Sequence, residues 1–181
     1  MGRISKLKGI GDLINILIEY NKYNPNVSCT LIGHPERPGV ISEYKELVEK
    51  NDLGGKINFV GRITVEEKYL SLSRADVFLF PSYTEGCPTA VIEALAIGLF
   101  AITTDVGALK EIINGDNGLL VKPGDVPGFL DAMIKSTVRL DSIRINRSKI
   151  SSDAFKKYEV HCVASSFLDA YSRLTIQTSI L

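Results

Sequence analysis

The 181-residue sequence has no surplus of either charge: 21 lysines and arginines stand against 21 aspartates and glutamates. A net charge of zero takes away the basic excess that usually marks nucleic acid as the main partner. A phosphate site, by contrast, needs only one or two local cations. Cysteine is scarce, and Cys29, Cys87 and Cys162 lie far apart. An odd number with no CxxC pair and no Cys/His cluster indicates neither a zinc site nor a disulfide framework, so reduced thiols in a cytoplasmic setting are the simplest reading. The opening MGRISKLKGIGD contains no apolar stretch of secretory-leader length. The most apolar region, Ala90 to Ile102, is broken by Glu93 and is too short to span a bilayer. No GxGxxG follows a strand-like run, which argues against a nicotinamide-dependent dehydrogenase.

What is present is ordinary for a globular chain: 45% hydrophobic and 23% charged residues. The length suits one well-buried domain covering 1–181, with no linker-like stretch and no repeat. Short β-branched runs alternate with helical stripes. Strands are expected at 27–32, 56–60, 76–80, 100–104 and 118–122, and helices near 13–18, 40–48, 65–73, 88–97 and 108–113. From Val126 onward the pattern is helical, in about three pieces. Strands apolar at consecutive positions imply burial on both faces. Strand–helix alternation then predicts an α/β fold, a Rossmann-like doubly wound parallel sheet with flanking helices.

The segment richest in chemistry is Pro81-Ser-Tyr-Thr-Glu-Gly-Cys-Pro-Thr-Ala-Val-Ile-Glu-Ala94. A buried strand stops at Pro81, a polar loop carries Glu85 and Gly86, and a helix is expected to open at Pro88, a residue suited to the first helical position. The free amides of Cys87, Thr89 and Ala90 would form an anion site beside the positive end of the helix dipole. Gly86 would let backbone approach a ligand closely. Glu85 sits in the loop at the carboxyl end of a strand, where open α/β sheets bind ligands. Glu93 lies roughly 7–8 Å along the helix, among apolar neighbours. A carboxylate there is costly without a hydrogen-bonding partner, and sugar hydroxyls would serve. Taken singly, Glu85 could be an ordinary loop acid, and Glu93 could pair with a structural arginine or lysine.

Glu85-Gly-Cys-Pro-Thr-Ala-Val-Ile-Glu93 resembles the E-x7-E motif of retaining GT-B glycosyltransferases, most closely glycosyltransferase family 4. The flanks agree: Ala75-Asp-Val-Phe-Leu-Phe-Pro-Ser82, Ala94-Leu-Ala-Ile-Gly98, Thr104-Asp-Val-Gly107, Glu111-Ile-Ile113 and Asn117-Gly-Leu-Leu-Val121. Gly2-Arg3 and Lys8-Gly9 resemble the family's GR-x4-KG element, so the likeness runs over about 2–174, with a tail at 175–181. It implies the nucleotide-sugar-binding, carboxyl-terminal half of such an enzyme. Arg3 and Lys8 would neutralise the donor diphosphate, and Glu85 would bind hydroxyls of the transferred sugar. Glu93 would hold the ribose, the backbone of Gly86, Cys87, Pro88 and Thr89 would surround phosphate oxygens, with amides donated by all but Pro88, and Arg62 and Ile63 would lie by the base. The donor would be a UDP- or GDP-sugar, with no further cofactor. No Asp-x-Asp occurs, and the family generally does without a divalent metal. His34 and His161 match no motif and are read as structural or surface residues.

Further expectations follow from the resemblance. The acceptor would be a glycan or lipid-linked glycan, as in polysaccharide biosynthesis. The site of action would be the cytoplasm or the cytosolic face of a membrane, by peripheral association. Cys87, Thr89-Ala90 and Phe100 depart from common family residues without removing a proposed ligand. The family places a strand immediately before the GR pair and a whole amino-terminal, acceptor-binding GT-B domain before that. Neither is expected here, so the missing domain would have to act in cis or in trans, and the isolated chain is expected to be inactive and marginally stable. Two other functions remain open: a non-catalytic nucleotide-sugar-binding module or part of a split enzyme, and a GT-B sugar-nucleotide epimerase.

Overall fold

The computed structural model describes residues 2–178, with side chains through Arg173. Six strands and nine α-helices alternate along the described residues: β1 Gly2–Ile4, α1 Ile10–Tyr23, β2 Cys29–Pro35, α2 Val40–Glu49, β3 Ile57–Gly61, α3 Val65–Ser73, β4 Val77–Phe80 and α4 Thr89–Ala96. They continue as β5 Phe100–Thr104, α5 Leu109–Ile112, β6 Gly118–Val121, α6 Val126–Val138, α7 Leu140–Ile145, α8 Arg147–Tyr158 and α9 Val160–Thr178. The α/β class and the parallel pairing agree with the sequence pattern. The carboxyl-terminal stretch forms four helices where about three are expected.

Two features differ from expectation. A short strand not expected from the sequence forms at Gly2–Ile4, pairing Gly2 with Gly33, Arg3 with His34 and Ile4 with Pro35. The sheet is also divided into two parallel three-stranded ladders, β1-β2-β3 and β4-β5-β6. The ladder divides because β1 reaches only the carboxyl end of β2 and pairs with no other strand, so no continuous ladder joins β2 to β4 among the described residues.

The core is continuous even though the ladder is not. β5 is buried at every position, with α4 and α6 packed against it, as its unbroken apolar run requires. α1 turns Leu13, Ile14, Leu17 and Tyr20 inward and packs on α6. Leu99, Phe100, Ile102 and Leu109 join the same cluster. α3 begins with a full capping box, in which the Thr64 hydroxyl accepts from Glu67 N–H while Glu67 Oε2 accepts from Thr64 N–H. The apolar residues Phe167, Leu168 and Tyr171 of α9 remain exposed. Among the described residues, no helix is long and apolar enough to cross a membrane.

Candidate active site

The carboxyl ends of β1 and β4 meet although the strands do not pair. A single 3-10 turn, Lys6–Lys8, follows β1, capped by the Ser5 hydroxyl accepting from Lys8 N–H at 3.3 Å. Gly9 then takes a left-handed conformation with φ 68°, and a Cβ there would fall 1.9 Å from the Pro81 carbonyl oxygen. Only glycine allows this contact, which locks the turn onto the end of β4. Leu7 O accepts from Tyr83 N–H at 2.9 Å and from the Ser82 hydroxyl at 3.3 Å. The Tyr83 hydroxyl donates to Asp12 on α1, and that bond raises the phenol's pKa.

This stapling delivers Lys8 to Glu85. Lys8 Nζ lies 2.5 Å from Glu85 Oε1, with the two side chains 32% and 10% exposed. A cation and an acid 77 positions apart are thus joined at the mouth of a helix. Glu85 is held from the other side by the segment after β5. Gly107 has φ +54°, and a Cβ there would lie 2.4 Å from both the Glu85 and Gly86 carbonyl oxygens. Ala108 N–H donates to Gly86 O at 2.9 Å.

α4 starts one residue later than its sequence suggests. Pro88 is the N-cap, in an extended conformation with ψ 100°, and not the first helical residue. No side chain caps α4, and its first turn holds no acid. The first-turn amides therefore retain their capacity for an anion. Gly86 and Cys87 are exposed, and the space where a Gly86 Cβ would project is open.

Glu93, the fifth residue of α4, meets Lys68 of α3, with Lys68 Nζ 2.9 Å from Glu93 Oε1 and the side chains 22% and 31% exposed. The costly half-buried carboxylate has therefore found the structural lysine that was one of its two readings. Arg62 and Ile63 lie in the loop between β3 and α3, the arginine exposed and the isoleucine half-buried. Arg3 is exposed in β1 and forms no ion pair among the described residues. So Lys8, Glu85, Gly86 and the start of α4 are brought together; among the described residues no side-chain hydrogen bond or ion pair joins Arg3, Arg62 or Ile63 to them, although Arg3 and Lys8 line one cavity. His34 is half-buried in β2 and His161 is exposed. Among the described residues, no group of three or more His, Cys, Asp or Glu side chains is placed to hold a metal.

Gly9 and Gly107 stand in the quoted motifs, but their backbone contacts are not legible in the linear sequence, and neither is Lys68 as the partner of Glu93. The Thr64-x-x-Glu67 spacing marks the start of α3 and so the turn carrying Lys68, but it does not say which acid that lysine meets.

An α/β scaffold with a cation, an acid and an open helix start at its strand ends has the architecture of the carboxyl-terminal half of a GT-B glycosyltransferase. The model of the family "Glycosyl transferases group 1" matches residues 1–137, and the chain belongs to that family. It is 31% identical over 137 residues to the lipopolysaccharide core biosynthesis mannosyltransferase LpsB of Rhizobium meliloti (strain 1021), covering 72% of this chain and 38% of LpsB. Its structure is similar to the C-terminal domain of the group 1 glycosyl transferase LpcC from Francisella tularensis, with a TM-score of 0.75, 28% identity, and coverage of 87% of this chain and 83% of that one. HepE of Anabaena, solved in complex with UDP, shares the fold at a TM-score of 0.81 and 18% identity, over 95% of this chain and 48% of HepE. The chain spans well under half the length of the curated relatives it matches.

Proposed function

We propose that this chain is the donor-binding half of a retaining glycosyltransferase and that it holds a nucleoside diphosphate sugar at the strand ends around Lys8, Glu85 and α4. The observation that carries this reading is the contact of Lys8 with Glu85 directly before the uncapped start of α4. A diphosphate would accept from the α4 amides and take Lys8 as counter-ion, with Arg3 as a second cation. Glu85, released from Lys8, would then accept from sugar hydroxyls. Glu93 would exchange part of its Lys68 contact for the ribose, and Arg62 and Ile63 would border the base. UDP bound to HepE supports a nucleoside diphosphate as the ligand class.

Charge flow explains why these groups suit the chemistry. When the bond between anomeric carbon and phosphate oxygen breaks, its electron pair goes to the diphosphate, while positive charge develops on the sugar. Lys8, Arg3 and the helix start stabilise the first, and the Glu85 carboxylate orients the second. The acceptor hydroxyl oxygen then bonds to the anomeric carbon on the face that the diphosphate left, and its proton passes to the departing diphosphate oxygen. LpsB supports a glycan or lipid-linked glycan as acceptor.

Calorimetric titration with UDP, GDP and their sugars tests the reading. Lys8→Ala should weaken binding of the preferred nucleoside diphosphate by about 10–100-fold, the worth of one charged hydrogen bond. Glu85→Gln should weaken the nucleotide sugar more than the bare diphosphate. Unchanged binding in both variants, with each folded, would overturn the assignment.

A further inference from the structure

Glu85 is tethered by the same cation that the donor-site reading gives to the diphosphate. Its carboxylate contacts Lys8, and among the described residues no other side chain hydrogen-bonds to it. A diphosphate that takes Lys8 as its counter-ion therefore removes the side-chain tether of Glu85 at the step when the sugar needs that carboxylate in place. What then aims Glu85 is the backbone of its loop. That backbone is fastened on both flanks, since Ser82 O accepts from the Thr104 hydroxyl and Gly86 O accepts from Ala108 N–H at 2.9 Å.

Tyr83 adds a fastening between these two. Its N–H donates to Leu7 O at 2.9 Å, and its hydroxyl donates to Asp12 Oδ2 in the first turn of α1. The ring lies by the turn between β6 and α6, where a Cβ on Gly124 would come 3.4 Å from the Tyr83 hydroxyl oxygen. α1 is a firm base for this bond, because Leu13, Ile14 and Leu17 on either side of the next turn are buried. Tyr83 itself is 41% exposed, so burial fixes it weakly and the bond to a charged acceptor carries more of its placement. Neither Asp12 nor Tyr83 has a part in the donor-site reading, yet Tyr83 stands two residues before Glu85.

We propose that Asp12 and Tyr83 are positioning residues, whose hydrogen bond keeps Glu85 aimed at the sugar after the diphosphate has drawn Lys8 away. The inference rests on the donor-site reading of Lys8 and Glu85. Its effect is confined to the sugar. The bare diphosphate is held by Lys8 and the start of α4, and that start is anchored separately through Gly86 and Ala108.

Calorimetric titration of the 181-residue chain with UDP, UDP-glucose, GDP and GDP-mannose gives the factor by which each sugar tightens binding over its diphosphate. In the pair that binds better, Asp12→Ala and Tyr83→Phe should each lower that factor by about five- to tenfold, the worth of one charged hydrogen bond. Affinity for the bare diphosphate should stay within about twofold, and the double variant should lose no more than either single one. Asp12→Asn removes the charge at the start of α1 but keeps an acceptor for the Tyr83 hydroxyl, so it should stay close to the parent. Tyr83→Phe keeps the ring and guards against a variant that fails to fold. As a second readout, amide exchange within 83–87 of the UDP-saturated chain should quicken by about tenfold in Asp12→Ala and not in Asp12→Asn. Equal losses for diphosphate and nucleotide sugar, Asp12→Asn behaving as Asp12→Ala, or an unchanged factor in both folded variants would each overturn the proposal. So would a parent chain that binds neither sugar more tightly than its diphosphate. A parent that binds neither diphosphate would overturn the donor-site reading and this inference with it, an outcome seen before any substitution is made.

Discussion

Glycine 107 supports the candidate site without a side chain of its own. Its positive φ and its approach to the Glu85 and Gly86 carbonyls leave no room for a Cβ. Gly107→Ala must either strain the backbone or push the Glu85 loop away, at a cost of about 1–3 kcal/mol. The thermal midpoint should fall by several degrees, and nucleotide-sugar affinity should fall by about tenfold as Glu85 moves. Calorimetry on the folded variant decides the matter: unchanged affinity would show that the 107 contact does not position Glu85. Lys8 and Glu85 show what sequence can say at this scale. Each was legible as a candidate from its motif, but only folding shows that they neutralise one another before a ligand arrives.

The loop between α5 and β6 is organised by its own side chains. Asn114 Oδ1 accepts from the amides of Asp116 and Asn117, and Asn117 Nδ2 donates to Ile112 O. Lys149 of α8 reaches this loop, with Nζ 2.7 Å from Asp116 Oδ2. The Lys149 hydrogen bond holds the Asp116 carboxyl below its usual range. A carboxylate with a lowered folded pKa contributes stability above its unfolded pKa, about 3.9, and loses it as pH falls through the folded value. Asp116→Asn should therefore lower the midpoint slightly at pH 7, by about one degree, because the pair is exposed. The difference from the parent should vanish toward pH 2. A midpoint gap that persists in strong acid would rule out the ion pair as its cause.

Element boundaries were legible wherever local chemistry fixes them. The expected spans of α3 and β5 coincide with those observed, because a capping box begins one and Gly98-Leu99 precedes the other. Pro88 is a counterexample: proline fits both the N-cap and the first helical position, and the loop geometry selected the N-cap.

The match to LpsB covers 38% of that protein, and the candidate site lies at the strand ends of this chain. The 181-residue chain incubated alone with nucleotide sugar and a glycan acceptor should bind donor without transferring sugar. Sustained product formation, followed by chromatography of the acceptor, would contradict this.

The amino-acid order by itself determined the α/β class, the parallel strands and the Glu85-to-Glu93 segment, because these follow from local periodicity, turn chemistry and a contiguous motif. The tertiary structure alone decided that Lys8 pairs with Glu85, that Lys68 pairs with Glu93, that Gly107 supports the loop, and that the sheet is divided. Each of these depends on groups distant in sequence meeting at one place. Neither spacing nor composition carries that information, since which edges and charges face each other is fixed only when the strands are laid side by side.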